Sequence, residues 1–331
     1  MPAADPPLTI AVLVGAAGPP PHLEPVQRRA TVRYTEAEGL GAAVEGADAL
    51  LLWDFFSTAL RDVWDRAGAL RWVHVAAAGV DTVLFDELVA SDVLLTNARG
   101  VFDRPMAEFA LASILARVKR LHEIRARQRA SVWRHQETEQ LADRTALVVG
   151  TGPIGRATAR LLGAVGMRVR GVGRTERTAD PDFGTVLPVN RLVEHVAWAD
   201  HVVVVAPLTA QTRGMIDAAV LAAMKPTAHL VNLGRGRLVE EDALVEALHA
   251  GRLAAASLDV FATEPLPPGH PLWTAPGVVV SPHLAGDAAS QWNALALQFV
   301  DNALRFLDGE PLHNVVDKQL GYVPARAGGG G

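Results

Sequence analysis

Gly150, Gly152 and Gly155 are spaced as G-x-G-x-x-G. The residues before them, Ala146-Leu-Val-Val, form a buried-strand pattern, and those after, Arg156-Ala-Thr-Ala-Arg-Leu-Leu, suit a helix. In that strand–turn–helix setting each glycine has a separate role. Gly150 permits a tight turn, Gly152 lets backbone approach a pyrophosphate, and Gly155 lets the helix pack closely on the strand. The helix start offers amide N–H groups and a positive dipole end to phosphates. Pro153 has no N–H, so this task falls to the amides of Ile154 and Gly155, with the Arg156 side chain as a further candidate. The chemistry implied is dinucleotide binding.

The next strand bears on which dinucleotide. An acidic residue about 20 positions beyond the glycines commonly binds the ribose 2′-OH of NAD. Here the strand ends Val172-Gly173-Arg174-Thr175-Glu176-Arg177, with Arg174 and Thr175 where that carboxylate is expected. A guanidinium can bind a 2′-phosphate bidentately, whereas a carboxylate would repel it. The reading favours NADP(H), with NAD(H) possible and Glu176 a neighbour of the wrong sign.

Three later segments follow apolar runs. They are Val231-Asn-Leu-Gly-Arg235, Ser257-Leu-Asp259 running on to Glu264-Pro265, and Val280-Ser-Pro-His283. Each places a charged or titratable residue just beyond the C-terminal end of a strand, the edge where open α/β sheets hold ligands.

The elements that must position these residues alternate throughout. Strands are expected at 9–14, 32–35, 49–53, 72–76 and 93–97, then at 146–149, 168–172, 202–206, 229–233, 255–260 and 278–281. Helix patterns at 58–67, 85–89, 154–165, 192–197, 218–224, 241–250 and 288–307 separate or follow them. This is the signature of parallel sheets covered on both faces. The expected fold class is α/β, with two Rossmann-like doubly wound parallel-sheet domains and an interdomain cleft. A single long helix is expected at 105–133, its second half rich in Arg and read as a solvated or subunit-contacting face. The final residues, 325–331, look disordered.

Composition sets outer limits. The chain has 331 residues, half of them hydrophobic and 20% charged, which is enough to build sizeable cores. A net charge of −5 argues against a nucleic-acid-binding role. The absence of cysteine excludes disulfides, thiolate metal sites and a cysteine nucleophile. No run reaches the ~18 apolar residues of a membrane span, and the N-terminus lacks the positive start of a secretory signal. A cytoplasmic protein is expected.

Five ordered segments now resemble one family. They are Pro207-Leu208-Thr209, Asn232-Leu233-Gly234-Arg235-Gly236, Leu258-Asp259-Val260-Phe261, Glu264-Pro265-Leu266-Pro267 and Pro282-His283. Together with the glycine loop and the Ala77-Ala78-Gly79-Val80-Asp81 turn, they resemble the D-isomer-specific 2-hydroxyacid dehydrogenases. The resemblance implies that Arg235, Glu264 and His283 are catalytic. His283 would exchange a proton with the substrate oxygen, and Glu264 would orient it and favour the imidazolium. Arg235 would bind the carboxylate or carbonyl oxygen. It implies cofactor contacts at Gly150, Gly152, Pro153, Ile154, Gly155, Arg174, Thr175, Pro207, Thr212, Leu233 and Asp259, with Asp259 on the nicotinamide carboxamide. Ala78 and Gly79 would receive the substrate carboxylate, alongside Arg235 and His283, and Arg99 is a further candidate. No metal is implied.

The domains implied are a flavodoxin-like substrate domain, 1–100 plus 287–331, and a nucleotide-binding domain, 101–286. A homodimer is implied, with the 105–133 helix in its interface. The substrates expected first are glyoxylate and hydroxypyruvate. Aryl or branched 2-oxo acids remain open, as does a nicotinamide-sensing corepressor that shares the fold without needing turnover.

Overall fold

A computed structural model describes residues 7–16 and 18–324; the 325–331 tail lies outside them. The chain divides into two compact units. One runs up to Val101 and resumes at Ala288; the other is Phe102–Asp287.

The first unit holds a five-stranded parallel sheet. Its strands are β1 (Thr9–Leu13), β2 (Thr31–Thr35), β3 (Ala49–Leu52), β4 (Trp72–Val75) and β5 (Leu94–Asn97), in the order β2-β1-β3-β4-β5. This is the flavodoxin-like doubly wound order. One face packs Leu13, Leu50, Leu52, Val73, Val75 and Leu95 against Leu40, Val44, Leu60 and Leu88. On the other, Trp72 stacks on Phe299 at 5.5 Å. Phe299 belongs to the C-terminal helix Gln291–Asp308, which explains why the last part of the chain returns here. Trp72 Nε1 donates to Thr96 Oγ1 at 2.8 Å, and His74 Nδ1 lies 2.7 Å from the same hydroxyl.

The second unit holds eight strands: β6 (Thr145–Val149), β7 (Arg168–Gly173), β8 (Arg177–Asp180), β9 (Gly184–Pro188), β10 (His201–Val204), β11 (His229–Asn232), β12 (Ala255–Leu258) and β13 (Val278–Val280). Their order is β13-β12-β11-β10-β6-β7-β9-β8. All neighbouring pairs are parallel except β8 with β9. The chain reverses direction across the sheet between β6 and β10, the switch point at which such sheets bind ligands. Both faces are buried, one by a cluster including Leu147, Val202, Leu230 and Leu244, the other by Ile114, Val148, Leu162 and Val231.

The helix expected at 105–133 is two helices, Asp103–Val118 and Leu121–Arg129, separated at Arg120, which has φ +54°. The periodicity breaks because the chain folds back. The Glu139 amide donates to the Val118 carbonyl and Lys119 Nζ to the Glu139 carbonyl, so a returning segment caps the first helix. The β8–β9 hairpin was not expected. The sequence Arg177-Thr-Ala-Asp180 has no apolar alternation, and its anchor is long-range: buried Asp180 accepts two hydrogen bonds from Arg156, each 3.0 Å.

Candidate active site

The glycine loop follows β6. Gly150 has φ +112°, and a Cβ there would lie 2.7 Å from the Ala206 amide nitrogen beyond β10. A Cβ on Gly155 would lie 1.9 Å from the Gly150 carbonyl oxygen, so only glycine lets the Pro153–Ala164 helix start this close. Around Gly152, by contrast, nothing lies within 4 Å of such an atom. Pro153 opens the helix, and the first-turn amides of Ile154 and Gly155 have no intrahelical acceptor. Open space beside bare amides fits a dinucleotide pyrophosphate.

The Arg156 side chain does not serve there. It is held by Asp180 and, at 2.7 Å, by Asp182, with its guanidinium 5.5 Å from the Phe183 ring centroid. Arg174 and Thr175 are exposed just beyond β7. Thr212 Oγ1 donates to the Pro207 carbonyl at 2.7 Å and accepts the Thr209 amide at 2.8 Å, pinning the exposed Pro207 turn beyond β10. The Leu233 side chain is buried in the core, so any cofactor contact there belongs to its backbone.

Arg235, Glu264 and His283 lie beyond the C-terminal ends of β11, β12 and β13, which are successive neighbours in the sheet. The Arg235 loop is shaped by buried Asn232, whose side chain accepts from the Gly234 amide and donates to the Arg235 carbonyl. Arg235 Nη1 also bonds the Gly234 carbonyl at 2.9 Å. Gly236 abuts the Phe261 backbone so closely that a Cβ would overlap it, locking this loop to the next.

His283 Nδ1 lies 2.7 Å from Glu264 Oε2, and the other Glu264 oxygen accepts the Phe261 amide at 2.8 Å. Burial alone would raise the Glu264 pKa. The bonds from His283 and Phe261, with the positive charges of His283 and Arg235, outweigh it and hold the carboxyl below its ordinary value. Both side chains keep about a third of their surface accessible, 30% for His283 and 31% for Glu264. A carboxylate therefore orients an imidazole that a reactant can still reach.

Asp259 holds the turn that carries His283. It is 1% exposed, and its carboxylate accepts from Ser281 Oγ (2.6 Å) and from the amides of Leu284 (3.0 Å) and Ala285 (2.8 Å). Its carbonyl accepts the His283 amide at 2.8 Å. These bonds hold the turn in which His283 adopts φ +52°. Asn232 and Ser281, which support the site, stand inside segments that the sequence had marked; what the sequence did not show is which neighbours they bond.

In the first unit, Ala78 and Gly79 follow β4. The Ala77 carbonyl accepts the Ala98 amide at 2.9 Å, and the Ala78 carbonyl accepts Asn97 Nδ2 at 2.5 Å. In a trans peptide the N–H points opposite to the carbonyl. The amides of Ala78 and Gly79 therefore both point away from β5, and neither has a hydrogen-bond acceptor among the described residues. Arg99 is otherwise engaged: its Nη1 bonds the Val323 carbonyl at 3.2 Å. Among the described residues no group of three or more His, Cys, Asp or Glu could hold a metal, and no helix is long and apolar enough to cross a membrane.

A parallel sheet with a glycine loop at its switch point and an Arg–Glu–His set at the same edge defines a nucleotide-dependent oxidoreductase. Residues 111–285 match the family model described as "D-isomer specific 2-hydroxyacid dehydrogenase, NAD binding domain". The chain is 34% identical over 264 residues to glyoxylate/hydroxypyruvate reductase A of Serratia proteamaculans, covering 77% of this chain and 82% of that protein. A D-isomer-specific 2-hydroxyacid dehydrogenase from Xanthobacter autotrophicus, solved with NADPH and MES, superposes with a TM-score of 0.80 at 31% identity, covering 96% of this chain and 99% of that one. An NADPH-dependent glyoxylate/hydroxypyruvate reductase from Sinorhizobium meliloti, solved with NADP and sulfate, also gives 0.80, at 28% identity over 95% of this chain and all of that one. The chain belongs to the D-isomer-specific 2-hydroxyacid dehydrogenase family and is an oxidoreductase of the 2-hydroxy acid/2-oxo acid class.

Proposed function

We propose that this chain reduces a 2-oxo acid to a D-2-hydroxy acid with NADPH, and that His283 delivers the proton. The observation that carries the proposal is the 2.7 Å Glu264–His283 pair, accessible and set at the sheet edge that bears the glycine loop. With Nδ1 committed to Glu264, Nε2 is the nitrogen that exchanges the proton with the substrate oxygen. The Glu264 carboxylate stabilises the imidazolium before transfer. Arg235 stabilises negative charge on the substrate carbonyl or carboxylate. The amides of Ala78 and Gly79 receive the carboxylate, since their direction is fixed and their hydrogen-bonding capacity unspent.

The nicotinamide, when bound, supplies the hydride. Gly150, Gly152, Pro153, Ile154 and Gly155 would hold its pyrophosphate, with Pro207, Thr212 and the Leu233 backbone alongside. Arg174 and Thr175 would meet a 2′-phosphate. Asp259 acts through the turn that carries His283.

Glyoxylate and hydroxypyruvate are the first substrates to try, in line with the names of the Serratia and Sinorhizobium relatives. The assembly proposed is a homodimer joined through the second helix and the segment after it. Leu121, Ile124, Val132 and Trp133 are 50%, 46%, 51% and 101% exposed there, an apolar surface that a second copy would cover.

The test is consumption of NADPH and NADH, assayed separately, with glyoxylate, hydroxypyruvate, pyruvate, phenylpyruvate and branched 2-oxo acids. The proposal expects turnover with NADPH favoured. Silence with every acid would contradict it, and a preference for NADH would remove the role given to Arg174.

A further inference from the structure

The sheet edge that presents the Ala78 and Gly79 amides also carries an aromatic cluster. Strands β3 and β4 are parallel neighbours with Leu52 paired to Val75, so residues 53–57 and 76–80 leave the same edge side by side. The first of these loops reads Trp53-Asp-Phe55-Phe56-Ser57. Trp292, at the start of the C-terminal helix, closes on it. Its ring centroid lies 5.1 Å from that of Trp53 and 6.2 Å from that of Phe55, while Phe55 lies 4.8 Å from Phe56. Trp53 is buried beneath, but Phe56 is 59% exposed and Trp292 40%.

Large aromatic surface left accessible beside a ligand-binding edge is informative, because burial is where such side chains gain most. The Ser57 hydroxyl accepts the Ala59 amide, and Asp54 would repel an acid. Glyoxylate has no side chain for the loop to touch, and the hydroxymethyl of hydroxypyruvate is too small to cover its aromatic faces. Tilted aromatic faces do suit a flat apolar group, which gains by offset or edge-to-face packing.

We infer that Phe55, Phe56 and Trp292 form the subsite for the substrate side chain, and that the chain reduces 2-oxo acids bearing an aryl or bulky apolar side chain. The inference rests on the 2-oxo acid reductase proposed above and names its substrate class. The carboxylate is received on the Ala78 and Gly79 amides, and the side chain lies against the aromatic faces at the same edge.

The experiment compares kcat/KM for phenylpyruvate and glyoxylate, with NADPH, in the wild type and in Trp292→Ala, Phe55→Ala and Phe56→Ala. Phe56 is exposed enough that its truncation spares the core, which guards against misreading a folding defect. Apolar contacts of this size discriminate by roughly 10–200-fold. The wild-type ratio is expected to favour phenylpyruvate by about tenfold or more, and each truncation to lower it by about fivefold or more. Glyoxylate turnover that equals or exceeds that of phenylpyruvate, or a ratio unmoved by all three truncations, would overturn the inference while leaving the reductase standing. Failure to reduce any 2-oxo acid would instead overturn the reductase itself.

Discussion

Glu264 bridges His283 Nδ1 and the Phe261 amide with its two carboxylate oxygens, at 2.7 and 2.8 Å. One oxygen fixes the carboxylate to its own loop, and the other orients the imidazole. Replacing it tests orientation and charge together. Glu264→Gln is expected to lower kcat for reduction by about 10–100-fold. An unchanged kcat would show that the carboxylate does not govern the proton donor.

Asp259 holds the His283 turn from beneath. Asp259→Asn would set an amide N–H against the Leu284 or Ala285 N–H, leaving a buried donor unsatisfied at a cost of about 1–3 kcal/mol. Ser281→Ala removes one bond and should cost about 1 kcal/mol. Both are expected to depress kcat more than they weaken NADPH binding, which fluorescence titration would measure. An Asp259→Asn variant with intact kcat and lost NADPH affinity would point instead to direct cofactor contact.

The packing of the glycine loop makes a steric prediction. A Cβ at position 155 would meet the Gly150 carbonyl oxygen at 1.9 Å, so Gly155→Ala must push the helix start away. A stability loss of about 1–3 kcal/mol is expected, with NADPH affinity falling alongside it. Position 152 has open space, so Gly152→Ala should keep the wild-type melting temperature and lose only NADPH affinity. Equal thermal behaviour of the two variants would contradict these separate roles.

Buried imidazoles set the acid limit. Burial pushes His74 down from 6.5 to about 3 and His201 from 6.5 to about 4; His229, 3.4 Å from His201, is also held well below 6.5 by burial. Asp180 and Asp200 fall from 3.8 to about 2, burial being outweighed by Arg156 and the Asp182 amide for the first and by Lys225 and Thr145 for the second. Every folded value lies below its unfolded one, so the unfolded chain takes up more protons on acidification. The stabilisation is complete above about pH 6.5. The histidine part is lost from there down through about pH 4 and then 3, and the aspartate part below about pH 4. Melting temperatures should fall between about pH 7 and about pH 5, before carboxylates protonate; a flat profile across that interval would contradict the account.

The sequence displayed the site where chemistry is local. A glycine loop after an apolar strand, and charged residues just past three others, can be read because strand ends at one sheet edge converge whatever the packing. It hid what depends on distant partners. Arg156 looked available to phosphate until Asp180 and Asp182, more than 20 positions away, proved to hold it. Leu233 lies in a binding motif, yet its side chain fills the core. The break at Arg120 and the role of Asp259 likewise follow from bonds to Glu139 and the 281–285 turn, which periodicity does not encode.

In the proposed reaction His283 carries the proton. The most direct test is His283→Gln, with NADPH affinity and single-turnover reduction of the best 2-oxo acid measured on one preparation. NADPH affinity within about threefold of wild type is expected, with reduction slowed by about 10²–10⁴-fold, the range of a lost general acid. Reduction at the wild-type rate would contradict it.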